Sequence, residues 1–318
     1  MGKKLKRLRG PLFLFLAALV WGTSFVAQDL ASDSVQPFTF NGCRMLLGGL
    51  VLLPVVMIKN KGRLFASVPT KEDKKQLLIG GVLCGLVVFF AAYFQQLGIA
   101  LGTSAGKSGF ITAMYVIFVP LTGIFLKKRI SPYLWGCVGL AAVGMYFLCM
   151  ADFSAGFSGF LSGFAMEVGD LATLACALCF TLHILVIDRF APHTDGVFLS
   201  CVQFLFAGVL GIFCMLILER PTPEAILQAG GAILYAALFS CGVGYTFQIL
   251  GQSSTPPVIA SILMCLESVF AVLSDVIFLK TAMTLEEVLG CVLMFFSILV
   301  SNLVDLIPKK EKKNESVR

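Results

Sequence analysis

Charged side chains are scarce in this sequence, where they make up only 13% of 318 residues. Soluble domains carry about 25% charged residues, whereas 58% of the residues here are hydrophobic. This balance excludes a large soluble domain and indicates a membrane protein. The hydrocarbon core of a bilayer needs about 20 apolar residues per helix, so ten spanning helices would use about 200 residues and leave only short loops.

Histidine is nearly absent, with two residues, and only His183 lies in an apolar run. An enzyme would need a nucleophile with a base or a metal cluster, and no H-E-x-x-H pattern occurs. The 11 cysteines fall within apolar runs, where thiols behave as small hydrophobic groups. We therefore expect a protein that is not an enzyme and holds no metal or cofactor, with a membrane enzyme kept as the alternative.

A basic face on a soluble module, which nucleic-acid binding requires, is also missing. Lys and Arg instead concentrate at the two ends and in short polar segments, which hold 20 of the 24 basic residues if the termini lie inside. Cytoplasmic loops of membrane proteins carry such an excess. We expect an even number of spans in a prokaryotic cell membrane, with residues 1–9 and 306–318 as basic cytoplasmic tails and no nucleic-acid partner.

The apolar runs predict an all-α membrane protein with ten helices. Their expected bounds are 11–31, 37–58, 76–98, 104–126, 132–150, 168–190, 196–218, 229–250, 257–279 and 284–305.

An internal repeat divides these helices into residues 10–150 and 168–305. The stretch from Gly10 to Trp21 aligns with residues 169–180 at an offset of 159, and the fourth and fifth helices align with the ninth and tenth at offsets of 152 to 154. Each copy contains five helices, an odd number, so the second copy enters the membrane in the opposite sense. Such inverted repeats are typical of secondary transporters, whose site lies near the bilayer midplane between the repeats.

Four stretches resemble the EamA-type carriers of the drug/metabolite transporter superfamily. They are residues 16–26, 103–112, 115–120 and 266–271. The resemblance implies ten helices in two inverted five-helix repeats around a central cavity, and transport of amino acids, other metabolites or drugs, often outward. One departure is Ser268, which follows Glu267 where family members often have proline, so no proline kink is expected there.

Glu267 is the first candidate site residue, because it lies about 15 Å into the ninth helix, close to the midplane. An acid at this depth usually marks a substrate or proton path; the alternative is a structural hydrogen bond to a neighbouring helix. Tyr115 occupies the repeat-equivalent position, so the two halves would present a phenol and a carboxyl at similar depth.

Two basic residues are candidates for attracting an anionic part of the solute. Arg44 lies within the second helix and suits a carboxylate or phosphate; alternatively it pairs with an acid such as Asp29 or Asp33, or extends towards water. Lys107 lies at the rim of the fourth helix, where it either faces an anionic solute or serves packing or lipid contact.

The remaining candidates are aromatic or neutral polar. Trp21 and Phe180, at equivalent positions of the repeat, would form the aromatic walls of a cavity. His183 would sense protons or form a simple hydrogen bond. Gln95 and Gln248 would bind polar substrate groups or join helices to each other.

These features predict a secondary transporter that exports a small metabolite, either an amino acid, a related compound or a drug, by alternating access. Its expected partners are the solute, the lipid bilayer, and protons or a counter-solute. A structural membrane protein and a channel are further alternatives, although a scaffold has no need of two-fold exchange symmetry and no filter motif is present. Substrate identity, direction, energy coupling and oligomeric state do not follow from the sequence.

Overall fold

The computed structural model describes residues 2–127, 130–151, 166–274, 276–277 and 282–306. These residues fold as helices joined by turns. In chain order the helices are α1 Gly2–Ser32, α2 Pro37–Lys59, α3 Lys71–Ala100, α4 Ala105–Thr112, α5 Tyr115–Phe125, α6 Pro132–Cys149, α7 Val168–Phe190, α8 Gly196–Cys214, α9 Pro223–Gln228, α10 Gly230–Tyr235, α11 Tyr245–Gln252, α12 Pro257–Met264, α13 Leu266–Ser274 and α14 Leu285–Leu306.

Eight helical segments in the described part of the chain are long and apolar enough to cross a membrane, and Pro257–Leu273 forms a shorter apolar segment. Some segments combine several helices; α10, a π-helical stretch at Ala236–Gly244 and α11 together make one of the eight. The prediction of an all-α membrane protein is confirmed. The count of ten spans stays a prediction.

Side-chain caps and prolines set several helix starts. Thr70 and Asp73 form a capping box at the start of α3, and Asp195 accepts hydrogen bonds from the backbone N–H groups of Val197 and Phe198 at the start of α8. Such bonds satisfy backbone donors that have no partner within the helix. Proline occupies the first turn of α2, α6 and α12, where its missing N–H is not needed.

Glycines allow the first half of the chain, up to residue 151, to pack closely on the second half, from residue 166. Gly42 of α2 faces Gly211 of α8, and a Cβ on Gly42 would lie 2.7 Å from the carbonyl carbon of Gly211. The pair α3 and α7 meets at Gly98, where a Cβ would lie 2.9 Å from the carbonyl oxygen of Gly169. Small residues at such contacts let backbones approach and maximise packing between membrane helices. Such close backbone contacts resist sliding, so we expect these two helix pairs to connect the halves rigidly.

Two segments near the centre are interrupted instead of continuous. One breaks between α4 and α5 at Ala113–Met114, and the other between α12 and α13 at Cys265. The breaks are 152 positions apart, which is the predicted repeat offset, and they touch, with the Cys265 Sγ donating to the Ala113 carbonyl oxygen at 3.9 Å. The second break forms without a proline at position 268. The two broken segments therefore cross at equivalent points.

Candidate functional site

A small cavity lies between the two halves beside the crossing of the broken segments. From the first half it is lined by Trp21, Ser24, Phe25, Gln28, Arg44, Gln95, Thr112 and Tyr115. From the second half it is lined by Phe180, Ile184, Ser240, Tyr245, Gln248, Met264 and Glu267. Seven of the nine site residues expected from the sequence are thus brought together, and the exceptions are His183 and Lys107.

Glu267 and Tyr115 stand directly after the two helix breaks. Glu267 is 6% exposed and belongs to the first turn of α13, where the free N–H groups of a helix start favour negative charge. Tyr115 opens α5, and its hydroxyl is buried close enough to Glu267 for the two groups to interact electrostatically. Neither ion pair found among the described residues includes Glu267. Its carboxyl therefore lines the cavity beside Tyr115, without a basic partner in the described part of the chain.

Arg44 brings a buried positive charge to the same cavity. It is 2% exposed, its Nε donates a hydrogen bond to the Oδ1 of Asn41 at 2.9 Å, and its guanidinium lies 4.9 Å from the centre of the Phe40 ring. Asn41 is itself held by a hydrogen bond from its Nδ2 to the carbonyl oxygen of Ala92. The ion pairs in the described part of the chain do not include Arg44, so the alternative of pairing with Asp29 or Asp33 is not realised.

Aromatic rings form one wall of the cavity. Trp21 packs edge-on against Tyr245 with ring centres 4.7 Å apart, and Tyr245 in turn contacts His183 at 5.8 Å and Phe204 at 5.2 Å. His183 is fully buried behind this wall, with its Nε2 3.1 Å from the Oε1 of Gln203. It supports the wall and does not line the cavity, and the hydrogen-bonding alternative describes its contacts.

Three polar side-chain atoms of the lining are buried without a hydrogen-bond partner among the described residues. They are the Trp21 Nε1, the Gln28 Oε1 and the Gln248 Oε1. Buried donors and acceptors are almost always satisfied in folded proteins, so unsatisfied ones beside a cavity indicate groups that a solute or water would satisfy. Gln95 differs, because its Nε2 donates to the Oγ1 of Thr112 at 3.2 Å.

Lys107 lies outside the cavity lining and forms an ion pair across the two halves. Its Nζ is 2.5 Å from the Oδ2 of Asp170, whose side chain is 1% exposed. Asp170 also accepts hydrogen bonds from the Thr103 Oγ1 at 3.0 Å and from the Glu167 backbone N–H at 2.8 Å. The positive charge expected to face an anionic solute is thus already engaged by a buried carboxylate.

Sequence reasoning missed eight lining residues, among them Tyr245, Thr112 and Gln28. A signal for one of them existed, because Tyr245 lies three positions before the predicted Gln248, on the same face of a helix. The others are ordinary polar or apolar residues within apolar runs. Nothing in their spacing separates them from residues that pack in the interior.

Comparison with known proteins places the whole chain among transporters. The family model described as the EamA-like transporter family matches residues 8–150 and again residues 167–303. An uncharacterized transporter of Archaeoglobus fulgidus is 30% identical over 94% of this chain and 87% of its own length. An S-adenosylmethionine/S-adenosylhomocysteine transporter of Chlamydia muridarum is 23% identical over 72% of this chain and 72% of its own length.

A solved crystal structure has the same fold. It superposes with a TM-score of 0.72 at 18% sequence identity, and the match covers 93% of this chain and 96% of that one. The likeness extends over both halves and therefore includes the region of the cavity.

Proposed function

Because the chain belongs to the EamA-like transporter family, we propose that it carries a small zwitterionic metabolite, an amino acid or a related compound, by alternating access. As a member of this family it is a multi-pass membrane transporter. The proposal adds the solute, the mechanism and the direction, which is outward, as in many carriers that it resembles.

The proposed architecture is two inverted repeats of five helices, at 10–150 and 168–305. Two observations support it: the family model matches the chain twice, once in each half, and the two helix breaks are separated by the repeat offset. Broken helices that meet between repeats are the usual place of solute binding in secondary transporters. The cavity of this chain lies beside such a meeting point.

The pairing of opposite charges in one cavity carries the proposed solute class. Arg44 presents a guanidinium without an acidic partner, and Glu267 a carboxyl without a basic partner, in the described part of the chain. A guanidinium binds a carboxylate through two parallel hydrogen bonds, while a carboxylate binds an ammonium group. The wall that contains Trp21 and Phe180 suits an apolar or aromatic side chain.

The named solutes of the Chlamydia muridarum relative contain an amino acid group, which agrees with this pairing. We further propose a cell-membrane location in a prokaryote with both termini in the cytoplasm, because the basic segments then lie inside. Glu267 would also be the residue through which a proton or a counter-solute is coupled to transport.

Transport by the purified protein in liposomes tests this proposal. Liposomes preloaded with labelled phenylalanine, leucine or methionine are exposed to an unlabelled competitor outside, and exchange is followed with and without a pH gradient. We expect exchange with amino acids, and none with phenethylamine, which lacks the carboxylate, or N-acetylphenylalanine, which lacks the ammonium. Equal exchange with phenethylamine, or with nucleosides and organic cations instead of amino acids, would refute the proposed pairing of charges.

A further inference from the structure

Alternating access requires that some element at each end of the cavity moves, and the helix pairs joined by glycines are poor candidates. The pairs α2–α8 and α3–α7 run unbroken through the centre and approach too closely to slide without clashes. The segment α4, Ala105–Thr112, differs from them, because it has only eight residues and is separated from α5 by the break at Ala113–Met114.

The break has the hydrogen-bond pattern of a hinge. The backbone N–H of Met114 donates to the carbonyl oxygen of Ile111, and the N–H of Val116 to that of Ala113, each three residues back. A tight turn of this kind inside a membrane helix often marks a hinge. Thr112, the last residue of α4, lines the cavity. Rotation about Ala113–Met114 would therefore change what covers the cavity.

The other end of α4 contacts the second half at Asp170. Asp170 of α7 accepts hydrogen bonds from the Thr103 side chain, just before α4, and pairs with Lys107 in its first turn. Ser104 caps the same turn by accepting from the Lys107 backbone N–H at 3.3 Å. A lysine in the first turn is unfavourable to the helix dipole, so its position here is explained by the ion pair with α7.

The α4 segment is not tightly held by its neighbour α13. Gly109 of α4 faces Ser268, and a Cβ added to Gly109 would still lie 3.7 Å from the Ser268 Oγ. In α4 itself, the buried hydroxyl of Ser108 has no hydrogen-bond partner among the described residues, and an unsatisfied buried hydroxyl costs free energy. The ion pair with Asp170 offsets part of this cost in the present position of α4.

We propose that α4 is a gate segment at one end of the cavity, hinged at Ala113–Met114 and held closed by a latch, the ion pair between Lys107 and Asp170. This inference rests on the proposed carrier function but not on the solute. The latch opens when α4 leaves α7, and the exposed cavity then communicates with the membrane face on which Lys107 lies.

Labelling of a cysteine in the cavity measures the gate without any solute. Ser24 lines the cavity and is 2% exposed, and Ser24→Cys is nearly isosteric. A membrane-impermeant maleimide is applied to protein in liposomes from the face of Lys107, which a cysteine at the exposed Leu101 identifies. The rate in the chain without the Ser24 substitution gives the background of the native cysteines.

Lys107→Gln and Asp170→Asn should each raise the initial labelling rate of this cysteine about tenfold, which corresponds to about 1.4 kcal/mol. The double variant should label no faster than the faster single variant, because the ion pair between Lys107 and Asp170 is absent from all three. Lys107→Arg, which keeps the charge, should label at the original rate. The matched control is Lys59→Gln, which removes the ion pair with Asp195 at the other end and should leave the rate unchanged.

An unchanged rate in Lys107→Gln, or the same increase in Lys59→Gln, would overturn the latch. Should Asp170→Asn fail to fold, the Gln and Arg variants of Lys107 decide the question alone, since the bonds from Thr103 and Glu167 to Asp170 remain in them. Loss of amino acid exchange with latch-dependent labelling intact would refute the solute class and leave the gate standing. Exchange without latch-dependent labelling would do the reverse.

Discussion

Among the described residues two ion pairs join the halves of this carrier, and they differ in burial and in the helices that hold them. Lys59–Asp195 lies at one end of α7 and Lys107–Asp170 at the other, about 35 Å apart along a helix of 23 residues. The lysine of the first pair is 49% exposed and that of the second 18%. Lys59 ends an unbroken helix, whereas Lys107 belongs to a short hinged segment. The same chemical pair therefore anchors a rigid interface at one end and controls a mobile element at the other.

The largest expected effect is on the rigid interface. Gly211→Leu should prevent folding, because a Cβ there would lie 2.6 Å from the Cα of Gly42 and neither backbone can move away. Gly139→Leu is the matched control, since nothing lies within 4 Å of its added Cβ. The yield of monodisperse protein and its thermal unfolding check this. Normal folding of the Gly211 variant would contradict the description of α2–α8 as rigid.

A second comparison sets Glu267, in the broken segment, against Glu219, in the scaffold. Glu267→Gln should leave folding intact and lower kcat/KM for amino acid exchange about 10- to 100-fold, because a charge-assisted hydrogen bond contributes about 1.5–3 kcal/mol. It should also abolish any stimulation by a pH gradient, since the amide cannot release a proton.

Glu219 is the control carboxylate, because it caps α2 by accepting from the backbone N–H groups of Phe38 and Thr39 at 2.7 and 2.6 Å. Glu219→Gln should therefore lower the unfolding temperature with little change in the KM of the remaining folded protein. Full pH-driven accumulation in Glu267→Gln would remove that residue from the coupling mechanism.

The sequence predicted the pair Glu267 and Tyr115 because the repeat offset placed them at equivalent depths, and the structure puts both on the cavity. It did not predict the contacts that give Arg44 and Lys107 their different roles. Arg44 is oriented by Asn41, one helical turn away, but only the fold shows that no acid faces it among the described residues.

Lys107 meets an acid 63 positions further along the chain, and no local pattern encodes such a contact. The same holds for the breaks at Ala113–Met114 and Cys265, which contain no proline. Periodicity reports which residues are apolar and how helices align within a repeat. Contacts between the halves, which decide what each charge does, depend on packing that periodicity does not contain.

A third comparison sets Arg44, whose charge faces the cavity, against Lys59, whose charge forms an ion pair away from the cavity. Arg44→Gln should raise the apparent KM for amino acids about tenfold or more with a smaller change in the maximal rate, since the lost contact is to the carboxylate of the bound solute. Lys59→Gln should leave KM unchanged. Initial rates of exchange at a series of solute concentrations give both values, and an unchanged KM in Arg44→Gln would show that the carboxylate binds elsewhere.

The smallest expected effect concerns the ion pair Lys59–Asp195, whose contribution to stability depends on pH. Burial raises the pKa of Asp195, but hydrogen bonds from Lys59 and from the backbone N–H of Phe198 outweigh this and leave the pKa below its ordinary value of 3.8. A carboxyl whose pKa is lowered by folding contributes stability that is fully present above its ordinary pKa. That stability is lost as the pH falls through the lower pKa of the folded state.

Asp195→Asn isolates the contribution of the ionised carboxylate to stability, because Asn also caps a helix and keeps the capping bonds. Near pH 7 the variant should unfold about 1–2 °C lower, as expected for a partly exposed ion pair worth about 0.5 kcal/mol. Thermal unfolding of both proteins between pH 7 and pH 3 should show a constant difference down to about pH 4 and a shrinking one below it. A difference that persists unchanged at pH 3 would mean that it does not arise from the ionised carboxylate of Asp195, and the contrast between the two ion pairs would then rest only on the hinge.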